Sequence, residues 1–298
     1  MPTQLPRLSE DRLRPLLAAH AAATSARAGK TALGLALFGL AVAAASWSAG
    51  VDPVKLFAHI DRFGSYFVRL AHFDSGDYTG QIVLSHPGEW MWGLKRWLRL
   101  LVETLAIAYA GTLVGALGGF VFSFFAARNL ARSPATRWLA VRFLEFCRTV
   151  PDLVFALIFV YAFGLGALPG VLAVAIHTQG ALGKLFTEVV ENADMRPVEG
   201  LVASGGSWVE TIRFAVLPQI LSNFVSYTLL RFEVNVRGAA VMGFVGAGGI
   251  GVDLMEAIRK FYYADVSAML VLIIATVMLI DWLTEALRHR LIGREATR

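Results

Sequence analysis

Residues 105–127 read LAIAYAGTLVGALGGFVFSFFAA, and this stretch contains no charged side chain. A helix needs about 20 mostly apolar residues to cross the hydrocarbon core of a bilayer, so the stretch predicts a membrane span. The whole chain agrees with this prediction. Of its 298 residues, 56% are hydrophobic and only 16% are charged, whereas soluble domains carry about 25% charged residues. The composition therefore predicts an all-α polytopic membrane protein rather than a soluble enzyme.

Other apolar stretches bring the predicted number of transmembrane helices to about six. The run 153–183 is too long for one span, and GLGALPG (164–170) offers the turn of a hairpin. The predicted spans begin at or near Thr31, Leu105, Phe143, Val171, Ile220 and Val266. A cleaved signal peptide is the less favoured interpretation of the first span, because its apolar run is longer than the usual ~7–15 residues.

The placement of Lys and Arg predicts that both termini lie in the cytoplasm. Basic residues cluster before the first span, in RNLARSPATRWLAVR (128–142) and in RHRLIGREATR (288–298). With six spans these clusters share one side, which the positive-inside rule makes cytoplasmic. KRWLR (95–99) falls on the other side. We therefore interpret it as part of an external insert with an amphipathic helix, whose Trp90, Trp92 and Trp97 suit the membrane interface.

This topology divides the chain into five segments. They are a cytoplasmic N-terminal segment (1–30), a first transmembrane helix (31–51), the external insert (52–99), a transmembrane core (100–290) and a cytoplasmic tail (291–298).

The segment between the fourth and fifth spans, residues 191–218, is longer than a simple connection needs. A Gly-Gly pair at 205–206 separates two helical stretches. Ser207 is suited to cap the second stretch, and Glu210 three residues later completes a capping box. The pattern predicts a helix–turn–helix on the cytoplasmic face, which is a shape suited to docking another protein.

This segment resembles the cytoplasmic loop of the permease subunits of bacterial ABC importers. Their pattern is E-A-A, three residues, Gly, nine residues, and then I-x-L-P. In this chain the corresponding positions, with the spacing kept throughout, hold Glu199, Gly200, Leu201, Gly205, Ala215, Leu217 and Pro218. Gly200 departs from the first Ala of the pattern, and Ala215 departs from the Ile.

Four further stretches are similar to the phosphonate-type branch of that family. They are ETLAIAYAGTLVGALGGF (103–120), FCRTVPDLVFALIF (146–159), GALGKLFTEVVEN (180–192) and SYTLLRFEVNVRGAAVMGFVGAGGIG (226–251). The resemblance covers roughly residues 95–290. It implies the type I ABC importer permease fold and a path for a phosphonate or a related phosphorus oxyanion such as phosphite or phosphate.

The resemblance also implies a multi-pass location in the bacterial plasma (inner) membrane, and it implies partners. They are a second copy of this permease, two copies of an ATP-binding cassette subunit, a periplasmic or lipid-anchored solute-binding protein and membrane lipid, with no nucleic acid. The coupling residues would be Glu199, Gly200, Leu201, Gly205, Leu217 and Pro218. The chain lacks a G-x-x-x-x-G-K-[ST] phosphate-binding loop. It is therefore expected to be a non-catalytic subunit with no cofactor of its own, and ATP would bind the partner subunit.

The stretch GFVGAGGIG (243–251) also fits G-x-G-x-x-G, the dinucleotide-binding pattern. That pattern needs a strand before it and a βαβ unit around it, but here it follows a charged membrane span. Glycine instead permits a span to break, and it allows backbones to approach closely. We interpret Gly246, Gly248, Gly249 and Gly251 as a hinge or gate. A tight external loop between the last two spans is the alternative.

Three charged residues, Arg231, Glu233 and Arg237, lie inside the fifth span, where charges are costly and seldom face lipid. Guanidinium groups suit an oxyanion, so one interpretation is that these residues line the translocation path. The alternative is a structural Glu233–Arg237 bridge, four residues apart on one helix face. In that case Arg231 would either snorkel toward the membrane surface or pair with Glu145 or Asp152 of another span.

Other classes of function fit the sequence less well. An ion-gradient-driven secondary transporter of an anionic solute would explain the charges inside the span but would not need the docking segment. A membrane-embedded enzyme would need a set of catalytic groups, and no catalytic or metal-ligating set assembles in the sequence. The single cysteine, Cys147, excludes an intrachain disulfide.

Overall fold

A computed structural model describes residues 10–293, and this part of the chain is almost entirely helical. The α-helices are α1 (Glu10–Ser48), α2 (Pro53–Ala58), α3 (Ile60–Leu70), α4 (Pro87–Trp90), α5 (Leu94–Ala126), α6 (Pro134–Thr149), α7 (Asp152–Phe163), α8 (Ala167–Glu191), α9 (Arg196–Ala203), α10 (Trp208–Glu210), α11 (Leu217–Met242), α12 (Ile250–Arg259) and α13 (Tyr263–Gly293). A π-helical segment (Thr211–Val216) precedes α11, and 3-10 turns occupy Val83–Ser85 and Gly243–Val245. Between residues 10 and 293 the extended pairing is limited to one bridge, His72–Ile82. The predicted all-α class is confirmed.

The chain divides into two units, residues 1–66 and 67–298. In the first unit, α1 carries the first predicted span, and side chains such as Leu37 and Phe38 on it are exposed. α1 ends at Ser48, just before the predicted end at residue 51. Parts of the two predicted cytoplasmic segments, residues 1–9 and 294–298, lie outside the described residues.

Three helices in the described part of the chain are long and apolar enough to cross a membrane: Arg27–Ser48, Leu94–Ala126 and Tyr263–Arg290. Two bent pairs raise this number to five by length and composition. The predicted fourth span corresponds to α8, which is not among these helices. Polar residues such as Thr178 and Gln179 interrupt its apolar sequence. The predicted total of six is therefore reached only when α8 is included.

The predicted third span is not one continuous helix. α6 and α7 meet at an angle of 85°. Pro151 at the junction disfavours a helical conformation for the residue before it, and Val150 is extended, with φ −75° and ψ 123°. The side chain of His177 lies 3.1 Å from the Val150 carbonyl oxygen, so this histidine occupies a structural position. The turn predicted at 164–170 is present between α7 and α8.

Helices α5 and α8 form the centre of the second unit and approach each other closely through glycines. Gly111, Gly115 and Gly119 recur every four residues along α5. A Cβ atom at Gly115 would lie 2.6 Å from the carbonyl oxygen of Ala175, and one at Gly119 would lie 2.8 Å from the amide of Gly183. Small residues at this spacing let two membrane helices pack backbone against backbone.

Around this pair the buried side chains form layers along the length of α5. One layer is lined by Trp97, Ile250 and Met269. A middle layer contains Ile107, Val174 and Met242. The layer at the far end of α5 is aromatic and contains Phe124, Phe186 and Phe224, with the Phe186 and Phe224 rings stacked 3.9 Å apart.

The basic run KRWLR belongs to the first turns of α5 rather than to a separate amphipathic helix. Arg96 pairs with Asp253 of α12 at 2.7 Å, which gives this charge a local partner. Trp97 is only 2% exposed and Trp90 only 9%, so neither is an interfacial side chain; Trp92 is exposed. Trp90 is buried because its indole N–H donates to the Ala264 carbonyl and to the Ser267 hydroxyl of α13. The amphipathic helix of the predicted insert 52–99 is instead α3, in which apolar and charged residues alternate.

We predict that Gly115→Ala lowers the free energy of unfolding by about 1–3 kcal/mol, because the new methyl group overpacks the α5–α8 contact. Thermal unfolding in detergent measures this change. Gly39→Ala is the matched control, since nothing lies within 4 Å of a Cβ atom at that position of α1. Equal unfolding temperatures for the two variants would contradict the close α5–α8 contact.

Candidate coupling loop and glycine-rich break

The segment after α8 forms the predicted helix–turn–helix. α9 ends at Ala203, Gly205 adopts a positive φ of 86°, and α10 begins at Trp208. Ser207 and Glu210 form the predicted capping box: the Glu210 carboxylate accepts from the Ser207 amide at 2.7 Å, and the Ser207 hydroxyl accepts from the Glu210 amide at 3.4 Å. The turn and its cap are therefore confirmed.

Trp208 anchors this helix–turn–helix to the end of α5. Its indole N–H donates to the carbonyl oxygen of Leu130 at 2.9 Å. Its ring lies 5.3 Å from that of Phe125, and the guanidinium of Arg132 sits 4.6 Å above it. A cation over an indole ring is attracted by the negative face of the ring. Trp208 thus joins the middle of the segment to the core, beside apolar side chains of the segment such as Val198 and Ala215, which are buried in the aromatic layer.

The residues at the positions of the importer pattern divide into exposed and packed groups. Glu199 and Gly200 are exposed on α9. A Cβ atom at Gly200 would meet nothing within 4 Å, so the departure from alanine there is not required by packing. Leu201 is half-buried, and Ala215, at the Ile position, is buried in the aromatic layer.

The far end of the segment runs directly into α11. Leu217 and Pro218 form the first turn of α11, where a proline is tolerated because the first amides of a helix have no intrahelical partner. Before them, residues 211–216 are π-helical, a wide turn that is frequent at functional sites. Val209 and Phe214 are exposed apolar side chains on this part of the segment. Pro218 therefore begins α11 without separating it from the preceding helix.

The glycine-rich stretch 243–251 interrupts the helical path between α11 and α12. Gly246 adopts the left-handed conformation, with φ 84°, and Gly248 and Gly249 also have positive φ values. The carbonyl of Gly246 accepts from the amide of Gly166, in the turn between α7 and α8, at 3.0 Å. A Cβ atom at Gly251 would collide with the Ala240 carbonyl. Glycine is required here both for backbone conformation and for close approach.

Two side chains of α5 cap the start of α12, which is inclined at 49° to the preceding helix. The Glu103 carboxylate accepts from the Gly249 amide at 3.2 Å, and the Thr104 hydroxyl accepts from the Ile250 amide at 3.0 Å. Such groups satisfy amides that have no partner at a helix start. Ile250 is fully buried. At the other end of α12, Lys260 donates to the Glu256 carboxylate, which raises the pKa of Lys260.

The geometry of 243–251 excludes the dinucleotide-binding interpretation, because helices flank the glycines on both sides and the motif needs a strand–turn–helix in a parallel sheet. The segment is buried ten residues into α5, beside Thr104. The segment is thus a closely packed break between α11 and α12, and both interpretations, a gate and a tight external loop, stay predictions.

Glu233 and Arg237 of α11 contact side chains of α13 rather than each other. Arg237 donates to both carboxylate oxygens of Asp281, at 2.9 and 3.1 Å, and Glu233 accepts from the Thr284 hydroxyl. The expected Glu233–Arg237 bridge is therefore wrong. Asp281 and Thr284 lie three residues apart on one face of α13. α11 and α13 are therefore joined by two neighbouring polar contacts, Arg237–Asp281 and Glu233–Thr284.

Arg231 occupies a different position. It interacts electrostatically with Asp152, at the start of α7, one of its two expected partners. The other, Glu145, pairs with Arg142 at 2.6 Å. The Nε atom of Arg231 is buried and has no hydrogen-bond partner among residues 10–293. Arg231 thus has a charge partner nearby but unused hydrogen-bonding capacity.

Sequence reasoning missed Asn235, which is 5% exposed in the middle of α11. Its amide donates to the hydroxyls of Thr112 on α5 and Thr178 on α8, both at 2.8 Å. The three residues connect the central helices through a buried polar network. An amide within an apolar span, between Glu233 and Arg237, was the available signal, because polar side chains inside a membrane bundle usually bond across helices.

The family model described as binding-protein-dependent transport system inner membrane component matches residues 119–293. The chain belongs to this family. The phosphite transport system permease protein PtxC of Stutzerimonas stutzeri is 43% identical over 196 residues, which cover 66% of this chain and 71% of that protein. The phosphate-import permease protein PhnE of Mycolicibacterium smegmatis is 38% identical over 193 residues, or 65% of this chain and 36% of that protein.

Solved structures agree on the fold. The inward-facing MetNI methionine ABC transporter matches with a TM-score of 0.57 at 18% identity, over 69% of this chain and 98% of that chain. A bacterial ABC transporter involved in the import of the polysaccharide alginate matches with a TM-score of 0.56 at 12% identity, over 82% of this chain and 96% of that chain. The fold is that of type I ABC importer permeases, as the resemblance implied.

Membership of the binding-protein-dependent family has three consequences. The chain is a multi-pass inner-membrane component, and it is a transport subunit rather than an enzyme. Its transport system depends on a solute-binding protein.

We predict that Thr104→Val destabilises the break by about 1–3 kcal/mol, because it leaves the buried Ile250 amide without its acceptor. Thermal unfolding and transport rate measure the effect. Thr276→Val is the control, since the Thr276 hydroxyl donates only within its own helix, to the Leu272 carbonyl. An equal response of both variants would show that Thr104 does not fasten α12.

We predict that Arg237→Leu alone destabilises the protein by about 1–3 kcal/mol, because it leaves Asp281, a carboxylate on a membrane-spanning helix, without its charge partner. The double variant Arg237→Leu/Asp281→Leu should recover most of this loss, and thermal unfolding of both variants measures it. Transport separates the two interpretations of Arg237. If the stable double variant also transports normally, Arg237 is structural; if it is stable but inactive, Arg237 acts on the solute.

Proposed function

We propose that this chain is the membrane-spanning subunit of an ATP-driven importer for a phosphorus oxyanion: phosphonate, phosphite or phosphate. The permease relatives described above carry phosphite and phosphate in their names, and another, a putative cryptic phosphonate transport permease of Escherichia coli, is 52% identical over 121 residues, which cover 41% of this chain and 99% of that protein. An external binding protein would deliver the solute, and two ATP-binding subunits would drive its passage.

The observation that carries this proposal is the helix–turn–helix between α8 and α11. Glu199 on α9, Val209 on α10 and Phe214 on the π-helical segment are exposed to solvent. Trp208 attaches the helix–turn–helix to the residues just after α5. A surface with exposed apolar side chains beside a carboxylate is suited to a protein partner. The chain itself has no phosphate-binding loop. In our proposal ATP is therefore hydrolysed by a separate subunit that docks on Glu199, Gly200, Leu201 and Gly205, with Leu217 and Pro218 behind them.

The polar face of α11 supports an anionic path. The side chains of Arg237 and Asp281 are 46% and 40% exposed, although both lie on spanning helices. Charged groups at membrane depth seldom face lipid, so we infer that this face contacts a second copy of the permease or lines the path. A two-fold dimer would present each arginine twice. Arg231, with unused hydrogen-bonding capacity, is our candidate to guide the oxyanion.

The glycine-rich break would act as the gate of this path. Irregular backbone at membrane depth is tolerated where it lines a cavity or is covered by protein, and residues 246–251 are covered by α5, the α7–α8 turn and α11. In this proposal Gly246, Gly248, Gly249 and Gly251 permit α12 to move relative to α11, while Glu233 and Arg237 keep α11 and α13 together.

The proposal is tested with the chain in lipid nanodiscs, together with its ATP-binding subunit and binding protein. We expect binding protein loaded with phosphonate, phosphite or phosphate to raise the ATPase rate. Glu199→Ala and Gly205→Asp should each reduce that stimulation about fivefold or more, the lower range of allosteric coupling. Gly29→Ala is the control outside the docking segment and should retain it, because nothing lies within 4 Å of a Cβ atom at that position of α1.

The three solutes identify the cargo, since the one that stimulates at the lowest concentration is the preferred substrate. If no solute stimulates ATP hydrolysis, and solute uptake instead follows an imposed ion gradient, the chain is a secondary transporter and the proposal is wrong. The same conclusion follows if Glu199→Ala and Gly205→Asp transport as well as the wild type.

A further inference from the structure

Gln219 joins the entrance of the helix–turn–helix to its exit. Its side-chain oxygen accepts from the Asp194 amide at 2.9 Å, and its side-chain nitrogen donates to the Asp194 carbonyl at 3.1 Å. The same nitrogen donates to the Ala215 carbonyl at 2.6 Å. Asp194 lies 25 positions before Gln219, just ahead of α9. One amide side chain thus closes the whole loop at its base, as a paired backbone would.

All three partners of Gln219 are backbone groups. The contact therefore depends on the amide at position 219 and not on the side chain at position 194, whose carboxylate accepts from the Arg196 amide instead. An amide is the group that fits, because it offers an acceptor and two donors at one point. A carboxylate would offer no donor to the Asp194 and Ala215 carbonyls, and an apolar side chain would offer neither.

The backbone at the exit of the loop is irregular. Residues 211–216 form a wide π-helical turn, and Pro218 after them has no amide hydrogen. The regular helical hydrogen-bond pattern is therefore interrupted between the loop and α11. Gln219, directly after the proline, covers the Ala215 carbonyl and at the same time reaches across to Asp194.

We propose that Gln219 is a positioning residue for coupling, and this inference rests on the proposed function. With the base closed, α9, the turn and the π-helical segment move as one body. A force that the ATP-binding subunit applies to the exposed residues of the helix–turn–helix is then transmitted to α8 and α11 together. Without the Gln219 side chain, the backbone at Asp194 loses its direct link to the start of α11. Movement of the helix–turn–helix is then partly lost as deformation within the loop.

This role is distinct from a contribution to folding. Gln219 and Asp194 are both exposed, and an intramolecular hydrogen bond that exchanges with water contributes little net stability. The core below the loop is held independently by the stacked rings of Phe186 and Phe224. Removing the Gln219 amide should therefore change the transmission of movement with little change in the unfolding temperature.

The test uses the full transport complex in nanodiscs and measures solute transported per ATP hydrolysed, for whichever of the three oxyanions stimulates the wild type. Gln219→Met is similar in length and removes all three hydrogen bonds, and Gln219→Glu keeps the acceptor but removes the two donated ones. Each should lower this ratio about threefold to tenfold, because the lost bonds are solvent-exposed and each is worth little net free energy. Basal ATPase rate and unfolding temperature should stay near the wild-type values.

Two controls match these changes. Asn223→Asp makes the same amide-to-carboxylate change one turn later on an exposed face of α11. Asp194→Asn alters the partner residue but keeps its backbone groups and its acceptor for Arg196. Both should retain the wild-type ratio. Hydrogen–deuterium exchange in the same complex provides a second readout, because Gln219→Met should speed exchange of the peptide that contains the Asp194 amide.

The outcomes separate the two proposals. If loaded binding protein fails to stimulate the wild-type complex with any of the three solutes, the proposed function is wrong, and this inference fails with it. If the wild type is stimulated but the Gln219 variants keep its transport ratio and its exchange rate at Asp194, only the positioning role is wrong. A loss of transport accompanied by an equal loss of assembly or of unfolding temperature also overturns it, because Gln219 would then serve folding.

Discussion

The close approach of α5 and α8 is the constraint on which the rest of the second unit depends. Lipid tails are as apolar as leucine, so burial of apolar surface does not drive two membrane helices together, and close packing and interhelical hydrogen bonds must do so. Gly111, Gly115 and Gly119 provide the packing. The buried amide of Asn235 provides hydrogen bonds that fix α11 against both helices. The arrangement of these three helices decides where the remaining elements can lie.

α5 then connects the two candidate functional regions. Near one end Glu103 and Thr104 hold the start of α12, and just beyond the other end Leu130 accepts from Trp208. The 22 residue steps from Thr104 to the end of α5 at Ala126 correspond to about 33 Å of helix, close to the ~30 Å of a hydrocarbon core. The docking segment and the glycine-rich break therefore contact one continuous helix, a span apart.

Local sequence patterns predicted the features that depend on neighbouring residues. The Gly-Gly pair, Ser207 and Glu210 predicted the helix–turn–helix, and the apolar runs predicted most spans. Patterns could not predict contacts set by the register of distant helices, which is why Arg237 was assigned to Glu233 although it pairs with Asp281. For the same reason the sequence did not show that Arg96 of KRWLR pairs with Asp253, since the two residues are distant in sequence. The break at Pro151 was readable in principle, but the apolar run around it favoured a continuous span.

The two ends of α5 are fastened by different kinds of contact, and this difference bears on how the proposed importer would move. At the break, the buried Thr104 and the half-buried Glu103 cap the start of α12. α12 can leave α5 only if the Ile250 amide gives up its Thr104 acceptor in a buried site, where no water replaces it. At the docking segment the fastenings of Gln219 are exposed, and water replaces them readily. A force that an ATP-binding subunit applies to the docking segment would therefore act first on the exposed hydrogen bonds of Gln219. For that force to reach the break, the exposed contacts must hold the docking segment as one body while the buried ones yield.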